Sequence, residues 1–572
     1  MTISQHRSAG GVFRQTNLLP ILAFALLAIF SISAAFADNF QVVLYTSNAP
    51  PATPALTDLP LTNQITQQGI TWTFSQPQRV GRFVNGDYYV VGTVTVTDIA
   101  PLATVSNGVN GSMLNIKPNI QKSGFDSRIM SGRYDPSLRV YPPITLTPGN
   151  KLVSSRSATN TLHSVMRPAD TPDSPVASIS ILTSVAAPLP PDAFRPSYAQ
   201  GVTNIYLSRN LKRNLLPTLA PVQDVPPLSE FEGYLQRPWV DSVFFDFDIP
   251  AEYMAAYGRE NGYLISFASL LLTLNFTPAQ KEPLLVYLTQ YGLDLYGLVQ
   301  QGHSGWPAWG GYGSGRKFPI VFAGLLLNQP AMISVQSQFG EDMQTIWVSE
   351  THPAGTYTKS WHTHPEIAVY GGHVGINGES VNPGWGPYEH LAPSNWVNNT
   401  GESYRRCCTS VSWVGEALAA RLIPGMMTNW NHPQFFAYVD RWMFSPDEPA
   451  DLAAMAAVGM TVDTDFQQGQ VWRVLSGGGY QPSYRTFIDE MWAAYRVMPQ
   501  ITSPGRQPGG VFQFTVGNLV TNTISYVQAI TNLTATNWSN VSTNSTTSNS
   551  FIYQENIATN LPRRFFRVKT GP

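Results

Sequence analysis

Apolar and polar positions alternate with a period of two over the first third of the chain. Ile70, Trp72 and Phe74 are separated by threonines, Asn85-Gly86-Asp87 marks a tight turn, and Val94 and Val96 alternate with Thr93, Thr95 and Thr97. A second strand pattern, ITLTPGNKLVSS over 144–155, turns at Pro148-Gly149-Asn150. This predicts a sandwich-like β domain over 38–190, closed by the Pro-rich stretch APLPPDAFRP (187–196), which reads as a linker. From about 200 to 500 the period becomes helical. Thr277 precedes Pro278 as a helix cap, and Leu284, Tyr287, Leu288, Tyr291, Leu295 and Leu298 follow at spacings of three and four. Further helices are predicted over 260–274, 316–328, 402–422, 432–443, 448–458 and 484–496. The tail, 509–572, returns to short strands and carries no catalytic residue types in a cluster.

The amino terminus changes the picture by adding a destination. A start containing His6, Arg7 and Arg14 leads into an apolar run from Leu18 to Ile32, then Ala35-Phe36-Ala37. That order predicts a signal peptide over 1–37 and a secreted, periplasmic or cell-surface protein. The run is shorter than the ~20 residues that span a bilayer, so no membrane association is expected after cleavage; an uncleaved anchor is the alternative. Charged residues are only 12% of the chain and the formal net charge is −2. Without a basic stripe, nucleic acid is excluded as a partner. The two cysteines, Cys407 and Cys408, are adjacent, so there is no disulfide framework; they form either a strained vicinal disulfide or two buried thiols on a helix.

Candidate chemistry concentrates in one stretch. Seven of the nine histidines and nine of the fourteen tryptophans lie between His303 and Trp442, among glycines, tyrosines and arginines. Segments so glycine-rich and aromatic read as ordered loops over a scaffold. Trp and Tyr offer flat faces suited to sugar rings, and His, Tyr and Arg add proton transfer and anion binding. In 302–319, His303, Trp306, Trp309, Tyr312, Arg316 and Lys317 crowd a helix start. In 403–422, Tyr404 lies in a first turn beside Arg405. His362 and His364 share a strand face, where with Glu366 or His373 they are candidates for a divalent metal, for substrate binding or for structural hydrogen bonds. Asp440-Arg441 inside AYVDRWM reads as a buried ion pair.

The segments GGYGSGRKFPIVFAGLL, YRRCCTSVSWVGEALAARL and HPQFFAYVDRWM, spread over roughly 220–500, resemble those of toroid-type polysaccharide lyases that act on alginate and glucuronan. The resemblance implies a multidomain, mainly α protein with an (α/α) toroid catalytic domain over 200–500, flanked by the β domain and a small β module at 509–572. It implies β-elimination at a uronic acid of an acidic polysaccharide, without a cofactor. His303 and Tyr404 would then move protons, Arg316 and Arg405 would neutralise the carboxylate, and Trp306, Trp309, Tyr312, Lys317, Trp361, His362, His364 and Tyr370 would bind substrate. Two rivals stay open: a glycoside hydrolase on a similar helical barrel, using carboxylates among Glu341, Asp342, Glu350, Glu366 and Glu389, and a non-catalytic glycan-binding surface protein.

Overall fold

A computed structural model describes residues 40–120, 122–128, 134–158, 175–241, 259–349 apart from 307, 309, 310 and 312, then 366–372, 386–390, 405, 409–444 and 485–496. In the carboxy-terminal part it describes 499–517, 519, 524–531, 538–545, 548, 550–556 and 564–570. The mainly α toroid does not form. Helix accounts for 32% of residues and strand for 30%, and the ten helices among the described residues share the molecule with a curled eight-stranded mixed sheet.

That sheet is built from β1 (Leu61–Gln67), β2 (Ile70–Arg82), β3 (Tyr88–Val91), β4 (Val94–Ala100), β5 (Ser112–Leu114), β6 (Ile144–Leu146), β7 (Lys151–Ser157) and β8 (Val176–Val185). Its order is β5-β7-β8-β3-β2-β4-β6, with β1 paired to β2; β3 and β8 run parallel and the other pairs antiparallel. One curled sheet thus replaces the expected sandwich-like module. Its strands sort side chains by the two-residue period. Leu152 and Leu182 join Ile70, Trp72, Phe74, Val94 and Val96 on one face. Their neighbours Val153, Ile179 and Ile181 turn to the other face and enter the main core with the helices. Strand β8 is therefore buried on both sides, and its serines bond inward: Ser178 and Ser180 donate to the carbonyls of Gln68 and Gln67.

The helices are α1 (Leu228–Gln236), α2 (Arg259–Thr273), α3 (Pro278–Gln300), α4 (Lys317–Leu327), α5 (Pro330–Ile333), α6 (Gly340–Met343), α7 (Ser410–Leu422), α8 (Met426–Trp430), α9 (Pro433–Phe444) and α10 (Arg485–Tyr495). Thr277 caps α3 as its sequence requires, in a reciprocal capping box with Gln280. In a ring of helical hairpins each helix would keep one face toward solvent or a central cleft. Here every residue of α2 is buried, α5 and α6 are four residues each, and a β-hairpin, β9 (Thr345–Ser349) with β10 (Glu366–Tyr370), lies between α6 and α7 in sequence. The Pro-rich stretch is not a solvated linker either. Its Arg195 is fully buried, with Nε on Asp87 beside β3 and both terminal nitrogens on Asp294 of α3, so it ties the sheet to the helices.

The carboxy-terminal strands form two three-stranded sheets: β11 (Gln500–Gln507), β12 (Val511–Gly517) and β15 (Phe551–Asn556), and β14 (Ser539–Ser545), β13 (Ile524–Ile530) and β16 (Phe565–Thr570). Their core of Phe514, Val516, Leu519, Val527 and Tyr553 is separate from the main one.

Candidate functional site: a buried carboxyl pair beneath a glycine turn

Helices α2 and α7 approach closely because small residues line their contact. A Cβ on Gly415 would come within 2.5 Å of Ser266 Cβ, and one on Gly262 within 2.8 Å of Ser412 Oγ. The Ser266 hydroxyl uses that proximity to reach into α7. It donates to the Ser412 carbonyl (2.9 Å) and accepts from the Glu416 N–H (3.0 Å), the two groups that ordinary helix pairing joins. Glu416 is thereby held mid-helix in an otherwise apolar and small-residue segment.

Opposite it sits the turn that enters α4. Gly315 has φ +80°, which glycine adopts without strain, and a side chain there would crowd Asn261 and Gly262 at 3.0 Å. Asn261 donates to the carbonyls of Ser314 and Gly315, and the Trp413 indole donates to Ser314 Oγ at 3.0 Å. Pinned in this way, the Gly315 N–H donates to Glu341 Oε1 from the first turn of α6. The other Glu341 oxygen and both oxygens of Glu416 find no N–H or O–H from other residues. Glu416 thus faces the charge of Glu341 with no hydrogen-bond partner of its own.

The electrostatics follow from that arrangement. Both carboxyls are completely buried, and desolvation raises both pKa values, Glu416 well above the ordinary range because it also faces the charges of Glu341 and Asp342. Arg316 lowers the Glu416 pKa without overcoming these effects. Its guanidinium is committed to Asp241, with Nε on Oδ2 at 2.8 Å and a terminal nitrogen on Oδ1 at 3.1 Å, while another donates to the Ser314 carbonyl. Asp241 also accepts from the Tyr291 hydroxyl at 2.9 Å. The arrangement offers a neutral carboxylic acid at near-neutral pH, a proton donor that water would not keep protonated.

Several residues singled out on sequence turn out to be fastened internally. His303 is buried, its ring stacked on Trp306 with centroids 4.6 Å apart, and its Nδ1 accepts from the Gly305 N–H. Trp306 is 3% exposed and its indole donates to the Asp241 carbonyl, so its face is covered. Lys317 pairs with Asp342 and donates to the Trp430 carbonyl. Tyr370 is buried and accepts from Gln344. Arg405 lies 3.1 Å from Glu389 and over the Trp442 ring. Asp440 and Arg441 do not pair with each other. Asp440 binds Arg421 and Arg496, while Arg441 binds Glu389 and the Ala368 carbonyl. Tyr404, Trp309, Tyr312, Trp361, His362, His364, His373, Cys407 and Cys408 lie outside the described residues.

Sequence reasoning passed over Glu416 and met Glu341 only among spare carboxylates. The readable clue was a lone Glu in SVSWVGEALAARL, flanked by Gly and Ala in an apolar helix, where an ionised side chain has no solvent to face. Among the described residues no group of three or more His, Cys, Asp or Glu is placed to hold a metal ion. Comparison with protein-family models, with curated proteins and with solved structures finds no match. The resemblance to toroid lyases therefore fails on both counts, architecture and family.

Proposed function

We propose that the protein is an exported enzyme that cleaves a uronate-containing glycan by β-elimination, with the Glu341–Glu416 pair neutralising the substrate carboxylate. The observation that carries this reading is a pair of fully buried carboxyls, Glu341 and Glu416, three of whose four oxygens have no hydrogen-bond partner, so that burial raises both pKa values. Elimination needs the C5 proton acidified, and a neutral carboxylic acid does so by donating to the uronate oxygens as charge moves onto them. A base takes the C5 proton, the C5–H electron pair forms the C4=C5 bond, the C4–O pair leaves on the glycosidic oxygen, and that oxygen takes a proton from a Tyr or His. The arginines first considered for this task are already paired with Asp241 and Glu389. Tyr404, directly before Arg405 in sequence, keeps the role of base. Glycoside hydrolysis fits less well, because it needs one of the two carboxyls ionised as nucleophile or base, whereas burial raises the pKa of both.

The pair is covered, so substrate access requires the overlying turn to move. Three of the five residues from Gly311 to Gly315 are glycine, which favours such motion. Among the described residues no helix is long and apolar enough to cross a membrane. The test is incubation with alginate and with polyglucuronate, followed by the ultraviolet absorbance of the unsaturated uronate. Absorbance should rise, and Glu416→Leu, which removes the donor but fits an apolar helix, should slow it roughly 100- to 1,000-fold. New reducing ends without absorbance would replace elimination by hydrolysis. No cleavage of either polymer, or full activity in Glu416→Leu, would overturn the proposal.

A further inference from the structure

The carboxy-terminal strands carry their own concave site, distant in sequence from the carboxyl pair. A groove of about 630 Å³ runs between β14 and β15, lined by Ser542 and Asn544 on one side, Phe551 through Glu555 on the other, and Arg564 at one end. That size falls within the roughly 300–1,000 Å³ of small-ligand sites. Its polar groups are arranged in advance. Glu555 Oε2 accepts from the Tyr553 hydroxyl and from Arg564, each at 2.7 Å, which fixes the carboxylate at the wall. Asn544 donates to the Ser542 hydroxyl at 2.9 Å and so sets its direction. Apolar surface lies beside them: Phe551 lines the groove on the same strand face as Tyr553 and Glu555.

We infer that this groove is a binding site for a neutral, hydroxyl-rich glycan. The Glu555–Arg564 pair cancels in charge, so the wall does not select an anion or a cation. It presents instead a carboxylate acceptor, a guanidinium, an amide and a hydroxyl within one groove. Sugar hydroxyls donate and accept at once and match such a mixed set, while the C–H face of a pyranose meets Phe551, on the same strand face as Glu555. An apolar ligand would leave the carboxylate and the guanidinium desolvated. The module then holds the protein on a polysaccharide surface, independently of any reaction elsewhere in the chain.

The full-length protein is run in native gels containing hydroxyethylcellulose, soluble starch or xylan. Retardation by at least one of the three is expected. Glu555→Gln should weaken it by at least about tenfold, since a hydrogen bond to a charged group is lost from the site. Should Glu555→Gln loosen the module, seen as a changed thermal melt, Asn544→Ala at the partly exposed rim replaces it and should also weaken retention. No retardation by any of the three polymers, or retention unchanged in both variants, overturns the inference. So does retention lost in Glu416→Leu and kept in the groove variants, which would place the bound glycan at the carboxyl pair.

Discussion

Two carboxylate clusters in the same core show how neighbours, and not burial alone, set the charge of a side chain. Glu389 and Glu416 are both essentially inaccessible to water. Glu389 accepts from Arg441 and from the Tyr370 N–H and lies 3.1 Å from Arg405, so two guanidinium groups and a backbone donor hold its pKa below the usual range despite desolvation. Glu416 faces Glu341 and the charge of Asp342, and burial plus like charge push its pKa the other way. The first cluster is an ionised clamp between β10, α9 and the residue at 405. The second is a reservoir for a proton. Buried arginines bond at the first cluster, at Asp241, at Asp440 and between Asp87 and Asp294, and among the described residues none bonds to Glu341 or Glu416.

The largest expected effect separates the two directly. Glu389→Gln removes the carboxylate shared by Arg405 and Arg441, which should destabilise the fold by about 3–5 kcal/mol in urea unfolding. Glu416→Gln keeps the shape and a neutral side chain, so it should change stability by less than about 1 kcal/mol. Equal losses in the two variants would show that both sites are ion clamps.

A smaller effect sharpens the same contrast through pH. Raised folded pKa values in the pair mean that the native state keeps protons that the unfolded chain releases above roughly pH 4.3. Stability contributed by the pair is thus fully present below that pH and is lost as pH rises toward the folded values, by about 1.4 kcal/mol per unit for each retained proton. Glu389 has the opposite sign: its contribution is present above the unfolded value and is lost as pH falls through the lowered folded one. Urea midpoints between pH 4.5 and 7.5 should decline in the wild type and flatten in a Glu341→Gln/Glu416→Gln double variant. A slope unaffected by the double variant would place the linked protons elsewhere.

What the sequence revealed divides along similar lines. The Thr277 cap before Pro278 and the alternation of β4 were readable because period and capping are local properties. The toroid was misread because helical period says where helices are but not what covers them, and α2 and α4 are packed on nearly every side. Arg195 was hidden for a related reason. Its neighbours Pro190, Pro191 and Pro196 signal a loop, while the partners that bury it, Asp87 and Asp294, lie about a hundred residues away on either side. The aromatic stretch was read as loops around a binding site, yet the described His303, Trp306 and Arg316 bond to one another's surroundings. Whether a polar group in such a stretch is spent or available depends on long-range partners.

The smallest expected effect concerns the region least coupled to that core. Among the described residues the carboxy-terminal sheets close on Ile501 onward and share no core residue with the helices, whose core extends to Trp492 and the partly buried Tyr495. Truncation must fall before Gln500, because β11 pairs with β12 and a cut at Pro508 would strand it. Ending the chain after Arg496 keeps the bonds of that side chain to Asp440. The truncated protein should therefore melt within about 1 °C of the main transition of the full chain, since a core that loses no buried apolar area keeps its hydrophobic stabilisation. It should also lose all retention on neutral polysaccharide and keep its pH slope. A drop of several degrees in the main transition would mean that the module is packed into the helical core and that the clamp and the proton pair are stabilised in part from outside it.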